Sequence, residues 1–257
     1  MINKLGRLSR TFNPAIPHYS ALKMMTKPIP LPSELDYSEG MPDDLGTMLN
    51  DILGNCTCAG YYHALQILSY HTNKVDGMIT QPDICILRLY EEACGYMPGL
   101  PQSDRGGNEQ SVLTFLLNTG APTGLKSETR HKLRAFVEIN PRNFADIQRS
   151  IYECGVVYLG CNMPANVMQS NIPQVWDYIP NSQIVGGHCI IACGYTKDDC
   201  LIISSWGKKY YLTPQFQLNL MDESYSLCDI NWFNETGLSL LGMSVKELKA
   251  QMKYLVK

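Results

Sequence analysis

Segments with helical period come first in this chain and strand-like runs second, and that order limits the available folds more than any other feature. Residues 56–71 place Ala64, Ile67, Leu68 and His71 at helical spacing. Thr80 to Cys94 is a second helix with Ile84, Leu87 and Tyr90 inward and Gly95 stopping it; Glu109 to Leu117 and Phe144 to Tyr152 follow. Val156 to Cys161 is a buried strand by its β-branched run. After residue 184 the period changes, and Gly187–Tyr195, Cys200–Trp206 and Lys208–Leu212 read as an antiparallel meander. Ser244-Val-Lys-Glu247 is a capping box opening a last helix to about Leu255. The expectation is an α+β fold of two lobes: a helical part over about 45–155, a sheet part over about 156–243, and a cleft between them.

Residues 1–40 stand apart from this domain, which spans 41–257. They hold five prolines (Pro14, Pro17, Pro28, Pro30, Pro32) and five basic residues (Lys4, Arg7, Arg10, Lys23, Lys27), with no acid before Glu34. Too few periodic apolar positions are present for the segment to fold alone. It reads as an extended basic arm that lies along an assembly partner, with Phe12, Ile16, Leu22, Met24 and Met25 as its apolar anchors.

The chain of 257 residues is 45% hydrophobic and 18% charged, enough for a packed core without disulfides. Its ten cysteines include no C-x-x-C pair and several lie in apolar runs, which points to a reducing compartment such as the cytoplasm. Lys4, Arg7 and Arg10 interrupt any signal-peptide core, and no run of 18 apolar residues exists, so neither a signal peptide nor a membrane helix is expected. A net charge of −3 gives no reason to expect nucleic acid as a partner.

Chemistry concentrates at two places. Cys56 follows Leu53-Gly54-Asn55 and opens the first helix, where unpaired N–H groups and the helix dipole stabilise a thiolate. Gly54 lets a substrate backbone approach closely. His188, in Gly186-Gly187-His188-Cys189, begins an apolar strand at a sheet edge facing the cleft and is the candidate base. His63 and His71 lie along the Cys56 helix, and His18 and His131 in polar or arm regions, where an ordinary surface or core role is the simpler reading. Ser204 and His188 stand equally far from Thr196, the expected hairpin tip, so Ser204 is the expected group to orient the imidazole, with Trp206 shielding the pair. Cys56, Cys58 and His188 have poor spacing for a metal.

Gly54-Asn-Cys56-Thr, Gly186-Gly-His188 and Ser204-Ser-Trp-Gly207, in that order and with 132 residues from cysteine to histidine, resemble the signature blocks of the papain-like cysteine peptidases. The resemblance covers roughly residues 45–212, and the short form around Asn50–Thr57 is similar to bacterial and bacteriophage members. It implies Cys56 as nucleophile and His188 as general base, with Asp104-Arg-Gly106-Gly107 lining the substrate cleft and Trp206 covering the catalytic hydrogen bond. No metal or cofactor is implied. Two positions depart from the family. Asn50 stands where the family has its oxyanion-hole glutamine, and losing such a donor costs about 3 kcal/mol of barrier. Ser204 stands where the family has the asparagine that orients the histidine. Two functions follow: a peptidase or amidase acting on a peptide or protein substrate, or a catalytically degenerate structural or binding module such as a virion component anchored by its arm.

Overall fold

The computed structural model describes residues 3–19, 30–73, 77–126 and 129–229, together with Lys246. The expected C-terminal helix from Ser244 lies outside the described residues apart from that one, as do Leu22, Met24 and Met25 of the arm.

Five α-helices are present among the described residues: α1 (Cys56–Asn73), α2 (Asp83–Cys94), α3 (Glu109–Asn118), α4 (Phe144–Cys154) and α5 (Pro214–Leu220). Helix α1 is buried on all sides from Cys56 to Ser69. Gly60 lets it approach the sheet, since a Cβ there would stand 3.2 Å from Cys189 Sγ and 3.5 Å from the Tyr158 ring. His63 is a core histidine, its Nδ1 3.0 Å from Gln66 Oε1. Helix α2 starts after Pro82 and ends at Gly95, which takes the left-handed conformation (φ 74°). It buries Cys85, Ile86, Leu89 and Tyr90, whereas Ile84 faces solvent. The buried stripe thus sits to one side of the expected one, because Cys85 packs as an apolar residue and Tyr90 brings a hydroxyl to Asp104.

The main sheet has eight strands. Seven run in the order β4 (Ala135–Glu138), β10 (Met221–Cys228), β5 (Val157–Pro164), β7 (Ile184–Tyr195), β8 (Leu201–Ser205), β9 (Lys208–Leu212) and β6 (Val175–Trp176), and β1 (Leu35–Asp36) pairs with the end of β7. The β6–β9 pair is parallel and the others are antiparallel. A separate two-stranded ribbon joins β2 (Ala121–Pro122) and β3 (Arg130–His131). The expected meander of β7, β8 and β9 is present, and the α+β expectation holds. Strand β10, which sequence did not reveal, inserts between β4 and β5; its polar run Asp222-Glu223-Ser224 does not look like the inside of a sheet. Helix α1, which Cys56 opens, packs across β7, the strand that carries His188.

Candidate active site

Cys56 begins α1 directly after Asn55, whose carbonyl accepts the N–H groups of Cys58 (2.8 Å) and Ala59 (2.9 Å). The turn leading in is strained: Met48 and Leu49 take φ of 54° and 64°, a region that costs a branched or bulky residue about 1–2 kcal/mol. Asn55 Nδ2 donates to Met48 O at 3.0 Å, and Leu45 N–H donates to Gly207 O at 2.7 Å. The second bond ties the cysteine side to the Ser-Trp-Gly side. Gly207 (φ 77°) permits this closeness, because a Cβ there would lie 2.4 Å from Gly46 O.

His188 sits on β7 opposite Cys161 and is 1% exposed. Its Nε2 lies 2.8 Å from Ser205 Oγ, and the Trp206 ring stacks on it with centroids 4.1 Å apart and planes 14° from parallel. Trp206 therefore covers one face of the histidine. The orienting hydroxyl is not the expected one. Ser204 pairs with Ile191 across the ladder, and its buried Oγ has no hydrogen-bond partner. The hairpin turns around Asp198 rather than Thr196, and a bulge between Ala192 and Gly194 shifts the register again. Equal distance from the assumed tip therefore chose the wrong serine.

Both candidate catalytic groups are dry. Burial pushes the Cys56 thiol up to about 12, although N–H groups of Cys189 and Gly6 hydrogen-bond the sulfur and work the other way. Burial, with a smaller contribution from the Arg7 charge, pulls His188 down to about 3. His188 Nδ1 is buried without a partner. The thiolate expected from the helix terminus is thus replaced by a neutral thiol beside a neutral imidazole. Desolvation outweighs the helix dipole here.

The cause of that dryness is the chain's own beginning. Residues 4–8 run extended through the cleft: Lys4 N–H donates to Asn50 O (3.3 Å), Gly6 and Arg7 N–H to Gly187 O (3.2 and 3.0 Å), and Leu8 N–H to Gly107 O (2.9 Å), while Gly107 N–H donates to Gly6 O (2.8 Å). Of the glycines expected to line a substrate cleft, Gly54 and Gly106 face this strap, as does Gly187, whereas Gly107 bonds it through its backbone and turns its Cα hydrogens to Thr57 and Cys94. A Cβ on Gly106 would lie 1.9 Å from Gly6 O, on Gly187 2.4 Å from Arg7 O, and on Gly54 3.3 Å from Leu5 O. Gly6 itself must be glycine, since a Cβ there would meet Gly54 O at 1.9 Å. Asn50 Nδ2 donates to Leu53 O at 3.1 Å and reaches Lys4 O at 3.5 Å, so the proposed oxyanion donor is engaged. The sulfur meets an N–H of the strap.

The rest of the described arm continues over the same domain. Arg10 pairs with Glu138, Glu138 N–H donates to Pro17 O (2.9 Å), and the hydroxyl of the wholly buried Tyr19 donates to Glu153 (2.8 Å). Ile16 is buried and Phe12 is 80% exposed. The expectation that this segment needs a neighbouring subunit to become ordered is therefore corrected for residues 3–19: their anchors are on the domain itself.

Charge explains the fit. Lys4 pairs with Asp104, whose Oδ1 also accepts from Tyr90 OH (2.7 Å) and Gly54 N–H (3.0 Å). Burial works upward on the Asp104 carboxyl, but the bonds from Lys4, Tyr90 and Gly54 prevail and hold it below the usual carboxylate range. Arg7 enters the interior, with Nη1 2.5 Å from Glu223 Oε1, Nη2 2.9 Å from Asp222 and 3.4 Å from Asn162 Oδ1. Sequence reasoning missed this set, since its members come from residues 7, 162, 222 and 223; the lone trace was that the basic residues of the arm have no acids near them in sequence.

Among the described residues no group of three or more His, Cys, Asp or Glu is placed to hold a metal ion, and Cys58 Sγ lies 4.0 Å from Cys94 Sγ. No described helix is long and apolar enough to cross a membrane.

No family model matches the sequence, and no curated protein sequence is significantly similar to it. Solved structures are informative. Xylellain, a cysteine protease from Xylella fastidiosa, superposes with a TM-score of 0.68 at 13% identity, covering 88% of this chain and 96% of that one. Procathepsin B S9 from Trypanosoma congolense gives 0.61 at 10% identity over 88% and 86% of the two chains. The bromelain protease from Ananas comosus gives 0.56 at 14% identity over 77% and 99%. The chain has the fold of the papain-like cysteine proteases.

Proposed function

We propose that this protein is a papain-like cysteine peptidase or amidase held closed by its own N-terminal strap. The observation that carries this reading is residues 4–8 lying between Gly54, Gly106 and Gly107 on one wall and Gly186 and Gly187 on the other, directly over Cys56. A groove lined by bare backbone accepts one extended chain and little else, so its ligand class is a peptide.

With the strap displaced, water enters and the penalty on both ions falls. Cys56 gives its proton to His188 and the thiolate attacks a carbonyl carbon. The C–N bond breaks as the imidazolium protonates the leaving amine, and water then hydrolyses the thioester. Ser205 orients the imidazole, Trp206 excludes water from it, and Asn50 supplies an oxyanion donor once freed from the Lys4 carbonyl. While the strap is in place none of this can start. A substrate that escapes the pocketed Arg7 must also outcompete an intramolecular segment, which acts at high effective concentration.

The ten free thiols suit a reducing compartment. A second reading is a silent papain-fold module, such as a bacteriophage virion component using residues 1–40 to meet an assembly partner. The complete burial of Arg7 favours it, because a strap so anchored opens rarely. Hydrolysis of a mixed peptide library by Gly6→Val, which expels the strap and leaves the groove walls unchanged, compared with the same variant carrying Cys56→Ala, separates the two. Cleavage lost with Cys56 supports the peptidase; no cleavage in either supports the module.

A further inference from the structure

The pocket that holds the Arg7 side chain is built for more than one arginine of this chain. Its walls are Glu109 at the start of α3, Asp222 and Glu223 on β10, and Asn162 on β5. Its floor is Gly160, where a Cβ would stand 2.5 Å from Glu223 Cγ, 2.9 Å from Glu109 Oε1 and 3.0 Å from Arg7 Cδ. Only a residue without a side chain leaves this space. Glu223 is wholly buried, and its Oε2 accepts from Tyr225 OH at 2.9 Å, which aims Oε1 at the guanidinium. Glu109 is also wholly buried, with the Cys189 thiol as its hydrogen-bonding neighbour. Burial, then the nearby Glu223 charge, holds its carboxyl well above the usual range.

We propose that this acidic pocket is the specificity subsite of the cleft, selecting peptides whose arginine side chain enters it, with Arg7 as its resident occupant. The inference rests on the peptidase reading for its biological use, but the pocket's selectivity stands apart from turnover. Arg7 spans two acceptors at once, Glu223 through Nη1 and Asp222 with Asn162 through Nη2. A planar fork meets both, whereas an ammonium is a single point and meets one. Position is fixed by the neighbours: the N–H groups of Gly6 and Arg7 both donate to the carbonyl of Gly187, the residue before His188. The selected arginine therefore lies against the wall that carries His188. The strap and such a peptide cannot be bound together, so an arginine-containing substrate competes for the very anchor that keeps the protein closed.

The test uses the full chain with Arg7→Ala and thermal melting in about 10 mM ethylguanidinium, ethylurea or propylammonium, ligand present well above its dissociation constant. Ethylguanidinium should raise Tm by about 3 °C or more over the other two, and leave the wild type unmoved because its pocket is full. Adding Glu223→Gln should abolish the gain. Equal shifts with ethylurea or propylammonium, or no shift with any, overturn the proposal. If Arg7→Ala does not fold, Gly6→Val serves: a Cβ at Gly6 meets Gly54 O at 1.9 Å, so the variant displaces the strap and leaves every pocket residue in place. A guanidinium shift without any peptide hydrolysis keeps the pocket and removes the peptidase reading; hydrolysis that ignores arginine does the reverse.

Discussion

His188 Nε2 and Ser205 Oγ lie 2.8 Å apart, and among the described residues this is the imidazole's one hydrogen bond. Ser204, one residue earlier, points its hydroxyl to a buried place with no partner. In the strap-released background Gly6→Val, Ser205→Ala should lower kcat/KM about 10- to 100-fold by freeing the ring to rotate. Ser204→Ala should leave it within about 2-fold, and melt no earlier than its parent, since it deletes an unsatisfied group. Steady-state kinetics and calorimetry on the two variants check this.

Gly6 touches Gly54 O so closely that any side chain there expels the strap. Gly6→Val should therefore expose residues 3–8 to limited proteolysis, while the domain core from α1 onward stays resistant. Leu8→Ala, at a half-exposed position, should leave the cleavage pattern as in the wild type. Mass mapping of early fragments distinguishes these outcomes.

Acid should loosen the strap. Asp104 is held below the usual carboxylate range in the closed form, in part by Lys4, so the open form takes up a proton more readily. Closure is then stabilised above the open-state value and loses that support as pH falls through the depressed closed-state value. Hydrogen exchange at the Leu8 amide should speed up on acidification beyond its intrinsic pH dependence. In Lys4→Met the extra acid sensitivity should shrink.

Much of this fold was legible because local signals agreed. Gly95 stops α2, Cys56 opens α1, and the runs after residue 184 form three adjacent strands. The start of β7 was not legible: the strand begins at Ile184 and runs between β5 and β8, so His188 lies inside it and not at a sheet edge. Nor was register. A bulge at Ala192–Gly194 and a turn centred two residues later than assumed brought Ser205 rather than Ser204 within reach of His188, and nothing local marks either feature. The strap was illegible for a different reason. Lys4, Arg7 and Arg10 look like a solvated basic leader until Asp104, Glu223 and Glu138 arrive from 100 or more residues away. Likewise the acids of β10 look like a loop until Arg7 neutralises them. Gly54 was read as a place where a backbone approaches, and a backbone does lie there, but the sequence does not say that it is the chain's own Leu5.

The central claim is that Cys56 is a nucleophile silenced by desolvation under the strap, and its alkylation rate reads this most directly. Limited iodoacetamide labelling at neutral pH, mapped over all ten cysteines, should find Cys56 nearly inert in the wild type, where burial pushes its thiol up to about 12. In Gly6→Val the same residue should become the fastest-reacting thiol, by about 100-fold or more over wild type, as its pKa falls toward that of a thiol paired with imidazole. Equal labelling of Cys56 in wild type and Gly6→Val, or a Cys56 that stays inert after the strap has been shown by proteolysis to be free, contradicts the account.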